Sequence, residues 1–141
     1  MTKILLAVDL NHEASWKAAL PEAVAQATLK SAELHLLAIL PDFGYAMVQT
    51  YFPPDFEREA LEKTLNDLKA LGEAEIGTAV PWHAHVGHGD IDVEILRVAE
   101  EMEVAMIVMA SHPVSELRTF LIGSHADKIV HRAPMSVLVV R

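Results

Sequence analysis

The sequence predicts a doubly wound α/β domain: a five-stranded parallel sheet with helices on both faces. Three observations carry that prediction. Five short apolar runs recur along the chain, with the continuous hydrophobicity of strands buried on both sides. Segments with helical spacing separate each run from the next. The order β-α-β-α-β-α-β-α-β then calls for right-handed crossovers, which lay the strands parallel and put helices over both faces. A chain of 141 residues is expected to form one domain, 1–141, long enough to bury its own core.

"KILLAVDL" (3–10) reads as the first strand, ending at an acid. Residues 12–32 follow as a helix with Ala14, Ala18, Val24, Ala25 and Leu29 on one face and a kink at Pro21. "ELHLLAIL" (33–40) is the second strand, stopped by Pro41. A long loop (41–54) carries Phe43, Tyr45, Tyr51 and Phe52. So many aromatics in a loop should cover something: a ligand cleft, a partner surface or the protein's own helices.

Residues 55–71 have the clearest helical pattern, with Asp55 placed to cap the start and Gly72 to stop the end. Its Glu57, Arg58, Glu59, Glu62 and Lys63 read as a solvated face. In the third strand, 78–89, Pro81 argues for an edge or a bulge. A helix over 90–102, capped by Asp90, turns Ile91, Ile95, Leu96, Val98 and Ala99 inward. "VAMIVMA" (104–110) is the fourth strand, a short helix (124–133) opens at Gly123-Ser124, and "MSVLVV" (135–140) is the fifth.

Composition removes several functions. Hydrophobic residues make up 52% and charged ones 22%, which suits a folded globule and not a disordered chain. The net charge is −9 without any basic cluster, so nucleic acid is not an expected partner. No cysteine is present, excluding disulfides, thiolate chemistry and Cys-ligated zinc. The first ten residues include Asp9 and lack a cleavage-site pattern, and no apolar run reaches the roughly 18–20 residues of a membrane span. The expected location is the cytoplasm.

In such sheets, ligands bind beyond the carboxyl ends of the strands where the strand order reverses. The candidate ends are Asp9-Leu10 and Met109-Ala110, and the helix start at Ser124 offers free N–H groups to an anion. Ser124 to Asp127 also forms an S-x-x-D capping box, a structural use that can coexist with anion binding. His83 and His85 share a strand face with His88 nearby, but no carboxylate shares their spacing, so a zinc site is not favoured. Ser111-His112 is no hydrolase pair, because neighbours on an extended strand face opposite ways and the G-x-S-x-G turn is missing. The G-x-x-x-x-G-K-[ST] loop is missing too, which leaves slow turnover as the most an ATPase reading supports.

Several separated stretches together resemble the universal stress protein family over essentially the whole length. These are the first strand ending in "AVD", the segment "GHGDIDVEILRVAEE", the ending "KIVHRAPMSVLVVR", and the spacing Ala110, Pro113, Gly123, Ser124. The last matches the family's Gly-x2-Gly-x9-Gly-(Ser/Thr) fingerprint with two glycines replaced. The aromatic loop resembles a branch encoded beside TRAP-type solute transporters. The resemblance implies a sheet of order 3-2-1-4-5 that binds an adenine nucleotide (ATP, or AMP or ADP), with Mg²⁺ as an accompanying ion. Asp9 would approach the ribose or adenine, and the Ala38-Ile39 backbone would read the adenine edge. Met109 and Ala110 would line the ribose side, while Gly123, Ser124 and His125 would cradle phosphates.

The two replacements have physical consequences. Alanine adds a methyl that matters only at positive φ or against a ligand, whereas Pro113 has no N–H to donate. His112, Arg118, His125 or Mg²⁺ would have to replace the lost contact. Two readings follow: a nucleotide-binding regulatory protein tied to stress response or a transporter, or a nucleotide-free interaction module of the same fold. The last strand, Met135–Val140, is expected to pair with a second copy in a homodimer, since an apolar edge needs covering.

Overall fold

In the computed structural model, residues 1–40, 55–111 and 120–141 are described, with the backbone alone for 120–124. The five apolar runs form one parallel sheet in the order β3-β2-β1-β4-β5. The strands are β1 (Lys3–Ala7), β2 (Glu33–Leu40), β3 (Trp82–His88), β4 (Met106–Ala110) and β5 (Ser136–Val140). Apolar side chains on both faces send β1 to the centre, where Ile4, Leu5 and Leu6 are completely buried. The register sets Leu6 beside Leu36 of β2 and Val108 of β4.

Alternation along the strands divides the core in two. On one face Ile4, Leu6, Leu34, Leu36 and Val108 pack with Leu20, Ala23 and Ala27 of α1 (Ala19–Lys30) and Leu68 of α2 (Phe56–Glu75). On the other, Leu5, Leu37, Ile107 and Met109 meet Ile95 and Ala99 of α3 (Ile91–Glu101) and Ala126 and Ile129 of α4 (Phe120–Arg132). Among the described residues, no helix is long and apolar enough to cross a membrane.

Several element details differ from expectation. β1 stops at Ala7; the Val8 N–H still donates to the Leu37 carbonyl at 2.8 Å, but the Asp9 N–H turns to Ser15 Oγ. The chain then makes a short 3-10 turn, Glu13–Ser15, and α1 begins only at Ala19. That interruption resets the helical phase. The buried stripe is Leu20-Ala23-Ala27 with Ala19, while Ala14, Ala18, Ala25 and Leu29 are exposed. Pro21 is the third residue of α1, in the first turn, where an N–H has no intrahelical partner to lose.

Three helices close through a left-handed residue followed or accompanied by a bond back five positions. Ser31 (φ 50°) ends α1 with Ala32 N–H to the Ala27 carbonyl, and Glu103 (φ 54°) ends α3 with Val104 N–H to the Ala99 carbonyl. In α2 the same device uses Gly77 (φ 57°), whose N–H donates to the Gly72 carbonyl at 3.0 Å. Gly72 is therefore not the stop: it is a buried helical residue against which the Trp82 ring packs. Asp55 and Asp90 occupy the capping positions of α2 and α3, but neither side chain bonds the first-turn N–H groups. α4 starts at Phe120, so Gly123 and Ser124 fall in its second turn and not at its start. Phe120, Leu121 and Ile122 contain no helix breaker, and the helix runs back through them.

Pro81 directly precedes β3, which is an edge strand as expected, and its carbonyl accepts the Leu34 N–H at 2.9 Å. The aromatic loop and Pro113 lie outside the described residues.

The close approach at Gly72 gives a measurable consequence. A Cβ there overlaps the Trp82 ring, so Gly72→Ala should destabilise by about 1–2 kcal/mol despite alanine's better helix propensity. Urea denaturation followed by tryptophan fluorescence checks it, with a lowered midpoint and an unchanged slope expected.

Candidate functional site

From β1 the chain leaves toward the α1 face, and from the adjacent β4 it leaves toward the α4 face. Diverging connections open a crevice at the carboxyl ends of these strands. A cavity of about 410 Å³ lies there, a volume suited to a small ligand. Ala7, Leu37, Ile39 and Met109 from the strand ends and Ile91 and Ile95 from α3 give it apolar walls. Asp9, His12, Ser15, Lys63, Asp67 and His125 supply its polar rim.

The turn after β1 is held by a closed set of hydrogen bonds. The Asp9 N–H donates to Ser15 Oγ at 2.9 Å, and the Ser15 hydroxyl donates back to the Asp9 carbonyl at 2.9 Å. The Asp9 carboxylate accepts the Asn11 N–H at Oδ1 (3.0 Å) and pairs with His12 Nδ1 at Oδ2 (2.8 Å). Asp9 thus caps its own turn, as short acidic side chains do, while lining the cavity. Ser15 is buried, so its two bonds satisfy a group that would otherwise be costly to bury.

The α2 wall carries Thr64, whose hydroxyl donates to the Ala60 carbonyl, and Lys63, whose ammonium donates to Asp67 Oδ2 at 2.8 Å. On the opposite wall, Asp92 in the first turn of α3 is buried and accepts from His125 Nδ1 of α4 at 3.0 Å. Arg132 approaches its other oxygen at 3.5 Å. Burial pushes the Asp92 carboxyl up, but its hydrogen bonds, those with its own backbone N–H and with His125 among them, outweigh that and hold it below the usual range.

The cavity brings together Asp9, Ala38, Ile39, Met109 and His125, five of the residues singled out from the sequence. Ala110 is not among its lining residues: it is the next residue along β4 from Met109 and is buried on the α1 side of the sheet. His112 and the side chains of Gly123 and Ser124 lie outside the described residues. Sequence reasoning missed Asn11, just before the stretch with helical spacing, and His12 and Ser15 within it, as well as Lys63, which read as solvated helix face, and Thr64 and Asp67 of the same helix. The i, i+4 pair Lys63-Asp67 was the one available signal.

The histidines of β3 divide differently from expectation. His88 lies on the opposite face from His83 and His85 and pairs with Glu57 of α2 at 2.8 Å. Glu33 of the neighbouring strand approaches His83 at 3.9 Å and reaches His85 only through His35: Glu33 Oε1 bonds His35 Nε2 at 2.9 Å, and His35 Nδ1 bonds His85 Nε2 at 2.8 Å. The His83 and His85 rings both stack on His35. No group of three or more metal-ligating side chains placed to hold an ion occurs among the described residues. Burial pushes His35 and His85 down, for His35 against the opposing pull of Glu33, and the His35 hydrogen bond holds Glu33 down.

The fold and the cavity define a doubly wound α/β domain with a ligand crevice at its switch point. The sequence profile of the universal stress protein family matches residues 1–141, and the chain belongs to that family. A protein of Staphylococcus haemolyticus assigned to the universal stress proteins is 29% identical over 140 residues, covering 98% of this chain and 83% of its own. Among solved structures, universal stress protein UspA from Lactobacillus plantarum superposes with a TM-score of 0.75 at 23% identity, covering 99% of this chain and 97% of its own. The universal stress protein from Archaeoglobus fulgidus in complex with dAMP gives 0.69 at 19% identity, covering 100% and 98%. A universal stress protein in complex with cAMP gives 0.68 at 18%, covering 99% and 96%.

The buried histidine chain makes stability depend on pH. His35 and His85 have lowered folded-state values, so the unfolded chain binds more protons as pH falls below the ordinary histidine value of 6.5. Stability is therefore full above that value and lost as pH drops through it. Thermal melts between pH 7.5 and 5 should show a falling Tm, and His85→Gln, which keeps a donor for His35 Nδ1 but does not titrate, should make the fall shallower.

Proposed function

We propose that the chain binds an adenine nucleotide in the cavity at the carboxyl rim of β1 and β4. In this reading it acts as a nucleotide-dependent regulatory protein in the cytoplasm, in a stress response or in control of a transporter of the TRAP type. The observation that carries the reading is the convergence of Asp9, Ala38-Ile39 and Met109 on one cavity with apolar walls and a polar rim. Walls such as Leu37, Ile39, Met109 and Ile95 suit a flat base, and the carboxylate of Asp9 keeps lone pairs for a ribose hydroxyl beyond those used in its turn. The structural neighbours holding dAMP and cAMP support the same class of ligand. ATP, with or without Mg²⁺, is the expected form, and β5 is the expected surface for pairing with a second copy.

The nucleotide-free alternative rested on Ala110 and Pro113. Ala110 has no left-handed backbone, and its methyl is buried in the α1-side core. Replacing glycine there removes nothing that a ligand needs. Only Pro113, with its missing N–H, bears on the phosphates.

Calorimetric titration with ATP, ADP and AMP, with and without Mg²⁺, tests the reading. Binding below millimolar is expected, and heats equal to the buffer control at millimolar nucleotide would end it. Ala110→Gly should leave affinity unchanged. Pro113→Gly should tighten binding by up to about tenfold, the equivalent of one restored N–H contact at ~1.4 kcal/mol.

A further inference from the structure

Asp92 is the one carboxylate among the buried polar residues described, and it sits one side chain away from the cavity. Its side chain is 3% exposed, yet it is a carboxylate held ionised by its surroundings. A purely structural link between α3 and α4 could be apolar at the same volume, and buried ion pairs are rarely retained for stability alone. The geometry gives it a second task. Asp92 Oδ1 holds Nδ1 of His125 at 3.0 Å, and His125 lines the cavity beside Ile91, Ile95 and Met109. With Nδ1 committed, any contact that His125 makes to a ligand goes through Nε2.

We propose that Asp92 is a positioning residue for a phosphate contact: its buried carboxylate orients His125 so that Nε2 meets the phosphate of the bound nucleotide. The inference rests on the nucleotide reading above and names the part of the ligand this wall recognises. Donation to a phosphate oxygen requires a proton on each ring nitrogen, the two N–H groups then pointing in opposite directions, to Asp92 and to the phosphate. The other charged groups in reach divide between the walls. Arg132 braces the second oxygen of Asp92, and Lys128 adds positive charge on α4. Across the cavity, His12 pairs with Asp9 and Lys63 with Asp67, so the basic groups on that wall already have carboxylate partners. The Asp92-His125 unit thus supplies a side-chain donor on the α3-α4 wall, independent of any backbone N–H in the segment that holds Pro113.

The test compares AMP with adenosine, which differ only by the phosphate, on the full chain by calorimetry. His125→Asn and Asp92→Asn should each weaken AMP binding by about tenfold, the loss of one charge-assisted hydrogen bond, and change adenosine affinity less than about twofold. A merely structural link would lower both ligands alike or neither, and either result overturns the proposal. His125→Asn does not leave a buried charge with a cavity beside it as large as alanine would, and a thermal melt confirms that each variant is folded. Should Asp92→Asn fail to fold, the His125→Asn pair of titrations decides alone. A wild-type chain that binds adenosine and AMP equally overturns the phosphate contact while sparing nucleoside recognition. A wild-type chain that binds neither ends the nucleotide reading and this inference with it.

Discussion

Everything at the candidate site depends on where β1 lies. A strand with apolar side chains on both faces has to be covered on both, and the centre of the sheet is the place that covers it. Ile4, Leu5 and Leu6 reach complete burial there, with β2 on one side and β4 on the other. Right-handed crossovers then send the chain from β1 and β4 to opposite faces. The crevice is the geometric remainder of that divergence. Its apolar walls are strand-end residues on the α3 side of the sheet, Ala7, Leu37, Ile39 and Met109, which also pack in that half of the core.

The rim has to remain open without leaving backbone groups unsatisfied. After Val8 the ladder ends, and the next N–H groups need partners other than a strand. Asp9 and Ser15 solve this by bonding each other's groups across a six-residue span, while Asn11 and His12 close on the carboxylate. The result is a turn whose hydrogen bonds run mostly within itself. A ligand can therefore meet its outer lone pairs without first dismantling the bonds that hold the strand end.

The fold was legible because buried parallel strands announce themselves as apolar runs: β2 matched its expected 33–40 in full. Boundaries set by side-chain partnerships were less so. Ser15 stands in a stretch with helical spacing, and only its distance from Asp9 in space stops the helix from beginning there. Gly72 carried the signature of a helix stop, yet its role comes from Trp82, a residue ten positions away on another element. Ser31 and Glu103 adopt left-handed turns that glycine would have signalled. Part of the cavity lining was readable and the rest was not. Asp9 and Met109 are strand-end residues placed by topology, and Ala38-Ile39 followed from the family resemblance, whereas Lys63, Thr64 and Asp67 reach the cavity from α2 by tertiary packing, which no local pattern encodes.

Histidine shows most directly how environment, and not residue type, assigns the chemistry. His12 serves a turn, His88 an exposed ion pair with Glu57, and His35 a buried chain between Glu33 and His85. In sequence, "HAHVGH" set His83 and His85 on one strand face with His88 nearby and no carboxylate at their spacing. Pleating separates His88 from the others, and parallel pairing supplies Glu33 and His35 from a strand some fifty positions earlier. His125 gave no cluster signal at all, because its partner Asp92 is on a different helix. A carboxylate brought from another element is what turns an imidazole from a solvated or packed group into an oriented one, and sequence spacing cannot display that distance. Among the described histidines, His125 is the one that has both a buried acid behind it and the cavity in front, a pairing that only the tertiary structure displays.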